Sequence, residues 1–182
     1  MSERGGSDGQ KMRVYVPATV AMLRALVTDR EIRALSGTAF AVTPALREAY
    51  SSGDDEELAE VALGEAARAS LRLIAGEGTE GAEAGDAPIY RRAVIAADVV
   101  GAKLRSDLDD AVVRLAGPIE YARIASAHVD LAEAEPAVAK AVEVIDAADL
   151  GDPDAEFVLG DAEDHQLAWY AAQELPFLLD LL

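Results

Sequence analysis

The chain contains no cysteine. That excludes disulfides, thiolate nucleophiles, Cys-ligated zinc and thiolate-held iron–sulfur clusters. It also removes redox usage as a guide to compartment. Histidine is scarce as well: there are two in 182 residues, so imidazole chemistry falls to His128 or His165. Aromatic residues make up only 5% of the chain and include a single tryptophan, Trp169. With 51% hydrophobic residues the chain is not disordered overall, and alanine supplies much of that fraction. Its core is expected to pack small and branched aliphatic side chains with few large anchors.

Positive charge is the next shortage. Sixteen basic residues face 34 acidic ones, giving a net charge of -18. Phosphate recognition needs clustered Lys and Arg, so neither nucleic acid nor an anionic membrane is an expected partner. The plain reading of such acidity is solubility. An acidic mimic of nucleic acid is an alternative, although the carboxylates are spread through the chain. Only Lys11, Lys103 and Lys140 are lysines, and that arginine bias fits a GC-rich coding sequence.

Long apolar runs are missing too. No stretch approaches the ~20 apolar residues of a membrane helix. The opening "MSERGGSDGQK" has no apolar core, so no signal peptide is expected there, and a cytoplasmic location follows. Residues 1–11 read as a disordered tail, which Met12 hints is dispensable, and residues 12–182 as a single globular α/β domain. "GEGTEG" has no strand before it and no Lys-Ser/Thr after it, and its carboxylates would repel phosphate. No H-E-x-x-H, G-x-S-x-G or EF-hand pattern occurs. No cofactor or metal is expected.

What is present is a patterned fold. "MRVYVP" alternates, with Val14 and Val16 on one face, and Pro17 is expected to stop the strand. Thr19 caps a helix carrying Val20, Leu23, Leu26 and Val27. "TAFAVT" is a second strand, and Thr43-Pro44 opens a second helix. Asp54 and Glu57 form a capping-box-like pair at the start of a helix running to about Ala75. Residues 76–88 read as a loop rich in Gly and acids, and 100–110 as a polar connection. Further strands are expected at 89–99, 111–117 and 124–130, then helices from Pro136, from Asp152-Pro153 and over 161–175. The expected architecture is α+β: a single mixed sheet of about five strands with helices packed on it and a C-terminal helical segment. The first two strands are expected to be parallel, and the last three to form an antiparallel meander.

Two places hold candidate chemistry. In "ASAHVD", strand alternation puts Ser126, His128 and Asp130 on one face. His128 and Asp130 can act there as a base and its orienter, or as a metal pair; the plainer reading is a hydrogen-bonded strand histidine. In "DAEDHQLAWYAAQEL", helical spacing aligns Asp161, His165, Trp169 and Gln173 as one stripe, a weak candidate for a ligand or partner surface. The plainer reading has Trp169 sealing the core edge and the acids serving a helix N-terminus. "PFLLDLL" at the terminus must fold back or cover a second subunit.

Through "MRVYVPATVAMLRAL", "TAFAVTPALREAY", "EAARASLRLIA", "AVIAADV", "SAHVD" and "AEDHQLAWYAAQEL" the chain resembles a family of small conserved actinobacterial proteins of unknown function. The resemblance covers residues 12 to about 180, with 76–88 and 101–110 as variable insertions. It implies a folded domain in a cytoplasmic bacterial setting and carries no catalytic residues. The expected function is therefore a non-enzymatic binding or regulatory domain, with itself as a homodimer or another protein as partner. The alternative is a small enzyme or small-molecule-binding protein whose pocket uses His128, Asp130, His165 and Trp169.

Overall fold

The computed structural model describes residues 10–84 and 88–182. The expected tail lies outside the described residues except for Gln10 and Lys11. The fold is α+β, as the residue patterns require, with a larger sheet than expected. Its strands are β1 (Met12–Ala18), β3 (Thr38–Phe40), β4 (Ala93–Val99), β5 (Lys103–Leu104), β6 (Val112–Arg114), β8 (Ile124–Val129) and β9 (Ala168–Ala171). They lie in the order β5-β6-β3-β1-β4-β8-β9. A two-stranded ribbon pairs β2 (Glu31–Ile32) with β7 (Ile119–Glu120). Every pairing among the described residues is antiparallel, so the sheet is not mixed and the first two strands are not parallel.

The central pair explains the rest. β1 and β4 pair along their whole lengths, from Met12–Val99 to Ala18–Ala93. Pro17 does not end β1, because β4 continues to pair with it through Val94. Val14, Val16, Ala18, Ala93, Ile95 and Ala97 all point to one side. There they meet Leu23 and Leu26 of α1 (Val20–Asp29) and Leu175, Leu178 and Leu179 of α6 (Leu175–Asp180). Thr19 caps α1 by accepting the Met22 N–H at 3.2 Å, and Arg30 closes it in the left-handed conformation. The strands at 89–99, 111–117 and 124–130 do not form a meander. The chain leaves β4 for β6, on the far side of β1 and β3, then returns to place β8 beside β4.

The other sheet face is covered by α3 (Asp55–Ala84), with α2 (Pro44–Ala49) before it, α4 (Glu135–Asp149) packed against α3 and α5 (Pro153–Glu163) packed against α4. The loop expected at 76–88 is therefore helical up to Ala84; residues 85–87 lie outside the described residues. A helix already nucleated over twenty residues propagates cheaply, and Ala and Glu favour it enough to carry the glycines. Ser70 of α3 ties the layers together. Its hydroxyl donates to the Ala18 carbonyl at 2.7 Å and accepts the Ala93 N–H at 3.1 Å.

The helix expected over 161–175 is replaced by three pieces. α5 ends at Glu163, β9 follows, and a 3-10 turn spans Ala172–Glu174 before α6. Local sequence favours a helix, but β8 would otherwise present an unpaired outer edge. β9 fills it through pairs from Ser126–Ala171 to Val129–Ala168. Pro176 sits in the first turn of α6, where its missing N–H costs nothing.

Replacing Ser70 by Ala leaves a buried N–H and a buried carbonyl each one partner short. The expected cost is about 1–3 kcal/mol, read as a lower urea midpoint with an unchanged m-value.

Candidate functional site

The residues at the sheet's α3 side follow from strand parity. On β1, Arg13 and Tyr15 point away from the aliphatic side that holds Val14 and Val16. On β8, Ala127 and Val129 are fully buried in that aliphatic core, so Ser126 and His128 point the other way. On β9, Trp169 stands directly opposite His128 in the strand register. α3 does not cover this region completely. Between it, the sheet and the α5–β9 connection lies a cleft of about 760 Å³, open on one side. Its walls include Tyr15, Glu65, Ser126, His128, His165 and Trp169.

Both histidines of the chain thus line one cleft, together with its only tryptophan. The helical stripe Asp161, His165, Trp169 and Gln173 does not exist. His165 lies in the turn after α5 and Trp169 on β9, while Asp161 and Gln173 are exposed positions outside the cleft. The spacing of four misleads because a strand interrupts it. Trp169 does not seal the core edge either: it is 61% exposed.

Asp130 has a different task from orienting His128. It is fully buried and forms a bidentate ion pair with Arg92, itself 5% exposed. Arg92 Nε and Nη2 donate to Asp130 Oδ2 and Oδ1, each at 2.8 Å. The Arg92 backbone N–H donates to Oδ2 at 2.8 Å, and the Asp130 N–H donates back to the Arg92 carbonyl at 3.1 Å. Arg92 Nη2 also donates to the His165 carbonyl at 2.8 Å. One guanidinium therefore joins the start of β4, the end of β8 and the turn that carries His165. Sequence reasoning passes over Arg92; its signal is a charged residue at the mouth of the apolar run "AVIAADV".

The partner of His128 is Ser126, with Oγ 3.0 Å from Nε2. Burial holds the imidazole below its usual range, and the Arg13 charge adds to this. In the tautomer with its proton on Nδ1, a neutral ring accepts from the serine hydroxyl through Nε2, the first contact a nucleophile–base pair needs; in the other tautomer Nε2 donates to the serine oxygen. Among the described residues no protein group hydrogen-bonds the other ring nitrogen, so the third member of a catalytic triad is not present there. Glu65 faces the same cleft from α3. Burial pushes its carboxyl up, Asp109 and Glu163 add like-charge repulsion, and Arg68 and Arg72 partly offset them. Sequence reasoning misses Glu65, one acid among many on an alanine-rich helix. Among the described residues no three His, Asp or Glu groups converge as metal ligands.

Fold and cleft together define an α+β protein with an antiparallel seven-stranded sheet and an open site on its α3 face. By sequence the chain belongs to a family of unknown function, DUF6912, which matches residues 12–179. No curated protein and no solved structure matches it.

Asp130→Ala strands the buried guanidinium of Arg92. It is expected to cost about 3–5 kcal/mol in chemical denaturation, and to shift Trp169 emission in the protein that remains folded. The two shifted groups have opposite pH signatures. His128 is harder to protonate when folded, so stability falls as pH drops from the ordinary histidine value towards its lower folded one. Glu65 is harder to ionise when folded, so stability falls as pH rises from the ordinary glutamate value to its higher folded one. Denaturation midpoints should lose the first slope in His128→Gln and the second in Glu65→Gln.

Proposed function

We propose that the protein binds a small molecule in the cleft between α3 and the sheet. The observation that carries this reading is the meeting of His128, His165 and Trp169 in one concavity of about 760 Å³. That volume lies in the usual range for ligand sites, about 300–1,000 Å³. Exposure of the only tryptophan at such a place supports it, because a large amphipathic ring is costly to leave in water and useful against a ligand. Gly64 offers a handle on it. It lines the cleft from the interior of α3, and a Cβ built there meets nothing within 4 Å. No neighbouring atom of the fold demands a glycine at that point, yet glycine costs about 1 kcal/mol there relative to alanine. The function is binding, with Ser126, His128 and Glu65 available for proton exchange with what is bound. A cytoplasmic actinobacterial setting is part of this proposal and fits the arginine bias of the sequence.

A second reading, self-association, is favoured by one specific feature. Leu178 and Leu179 of α6 are buried, while Phe177 and Leu181 are 74% and 83% exposed. The folded-back terminus thus leaves two large apolar side chains in water. If α6 forms a homodimer, light scattering will give twice the chain mass, and Phe177→Ser with Leu181→Ser will return it to a monomer. A monomer at all concentrations removes this reading.

Gly64→Ala should stabilise the protein by about 0.5–1 kcal/mol, measured by urea denaturation. Gly64→Phe should fill the cleft from a position free of neighbours. Wild-type protein passed through a cell extract, desalted and analysed by native mass spectrometry should retain a small molecule that the Gly64→Phe variant does not. Equal retention by both, or none by the wild type, contradicts the cleft as a binding site.

A further inference from the structure

We infer that the ligand of this cleft is a small organic cation with an apolar or aromatic body, an inference that rests on the cleft being the binding site. Three arginines line the cleft, and each is already committed. Arg13 holds Asp98 through two bonds of 2.7 and 3.0 Å. Arg68 holds Asp149 and Glu156 at 3.1 and 2.8 Å. Arg92 is buried against Asp130. The carboxylates in the wall are in the opposite condition. Among the described residues Glu60, Glu65 and Glu163 make no ion pair, although all three line the cleft. The cleft therefore has unpaired carboxylates, whereas each of its arginines is already paired with a carboxylate of the fold.

Charge alone does not define a ligand; the other walls do. Glu65 is half-buried, so its charge is poorly solvated, and Asp109 and Glu163 add repulsion that Arg68 and Arg72 only partly offset. A cation seated beside Glu65 relieves both penalties. The absence of a converging donor set among the described residues argues against a bare metal ion as that cation. An organic cation needs a face to lie on, and the cleft offers the exposed ring of Trp169 and the half-buried ring of Tyr15. Aromatic faces attract ammonium and guanidinium groups, tryptophan most strongly. With His128 held towards its neutral form by burial, the histidine opposite Trp169 does not oppose a cation. An anion meets three unpaired carboxylates and no free arginine.

Trp169 is the only tryptophan, so its emission reports on the cleft alone. The test is a fluorescence titration of the full chain with three matched probes: benzyltrimethylammonium, benzyl alcohol and phenylacetate. The inference predicts saturable perturbation by benzyltrimethylammonium, at least fivefold tighter than by the other two and weakened by added salt. Glu163→Gln, at an exposed helix end, should weaken it severalfold, and Glu65→Gln with Glu163→Gln at least tenfold, with circular dichroism unchanged. Equal or tighter binding of phenylacetate or benzyl alcohol, lost in Gly64→Phe, overturns the cation and keeps the cleft. Binding of none of the three, or binding indifferent to Gly64→Phe, overturns the cleft and the cation together.

Discussion

The buried pair Arg92–Asp130 is the interaction on which the site depends. Two opposite charges are taken out of water and bonded to each other: the carboxylate accepts three bonds, and the guanidinium reaches a third acceptor through Nη2, the His165 carbonyl. A buried ion pair gains little over an apolar substitute in stability alone. Its value is positional. It fixes where β4 begins and where β8 ends, and it pins the turn between α5 and β9. That turn sets the register of β9 on β8, and the register sets Trp169 across from His128. Ser70 performs the matching task for α3, bridging the end of β1 to the start of β4. α3 packs on β1, β3 and β4, and the cleft is the space left beside it, walled by Ser126 and His128 of β8 and Trp169 of β9.

Much of the fold was legible in the sequence where periodicity, capping and burial agreed. β1 shows its two faces in "RVYV", and α1 and α2 announce themselves through Thr19 and Thr43, which cap them in the structure. Legibility ends where a tertiary demand overrides local preference. "LAWYAAQEL" is rich in helix-forming residues, but the free edge of β8 recruits its first part as a strand. "GEGTEGAEA" looks like a loop, but a helix already under way passes through it. The antiparallel order was not legible because it depends on crossings between strands distant in sequence, which no local pattern encodes.

The site was legible in part, and for an instructive reason. His128, His165 and Trp169 stand out in the sequence because they are rare, and the structure places them in one cleft. Their expected arrangement was wrong. Asp161 and Gln173 entered only through a helical spacing that the chain does not adopt, and Asp130 serves Arg92 instead of His128. Glu65 gains its character from burial against distant elements, so nothing in its neighbouring sequence distinguishes it, whereas strand alternation already sets Ser126 on the face of His128. Rarity marks candidates; only the three-dimensional course of the chain says which of them meet.

The central claim is that the α3–sheet cleft is where this protein meets its ligand. Because the chain has only two histidines and both line that cleft, their imidazole NMR signals watch it without interference. The most direct measurement records those signals while the low-molecular-weight fraction of a cell extract is added to the full chain. The account predicts that both imidazoles shift together and saturate. Backbone amide signals that move elsewhere while both imidazoles stay fixed would contradict it.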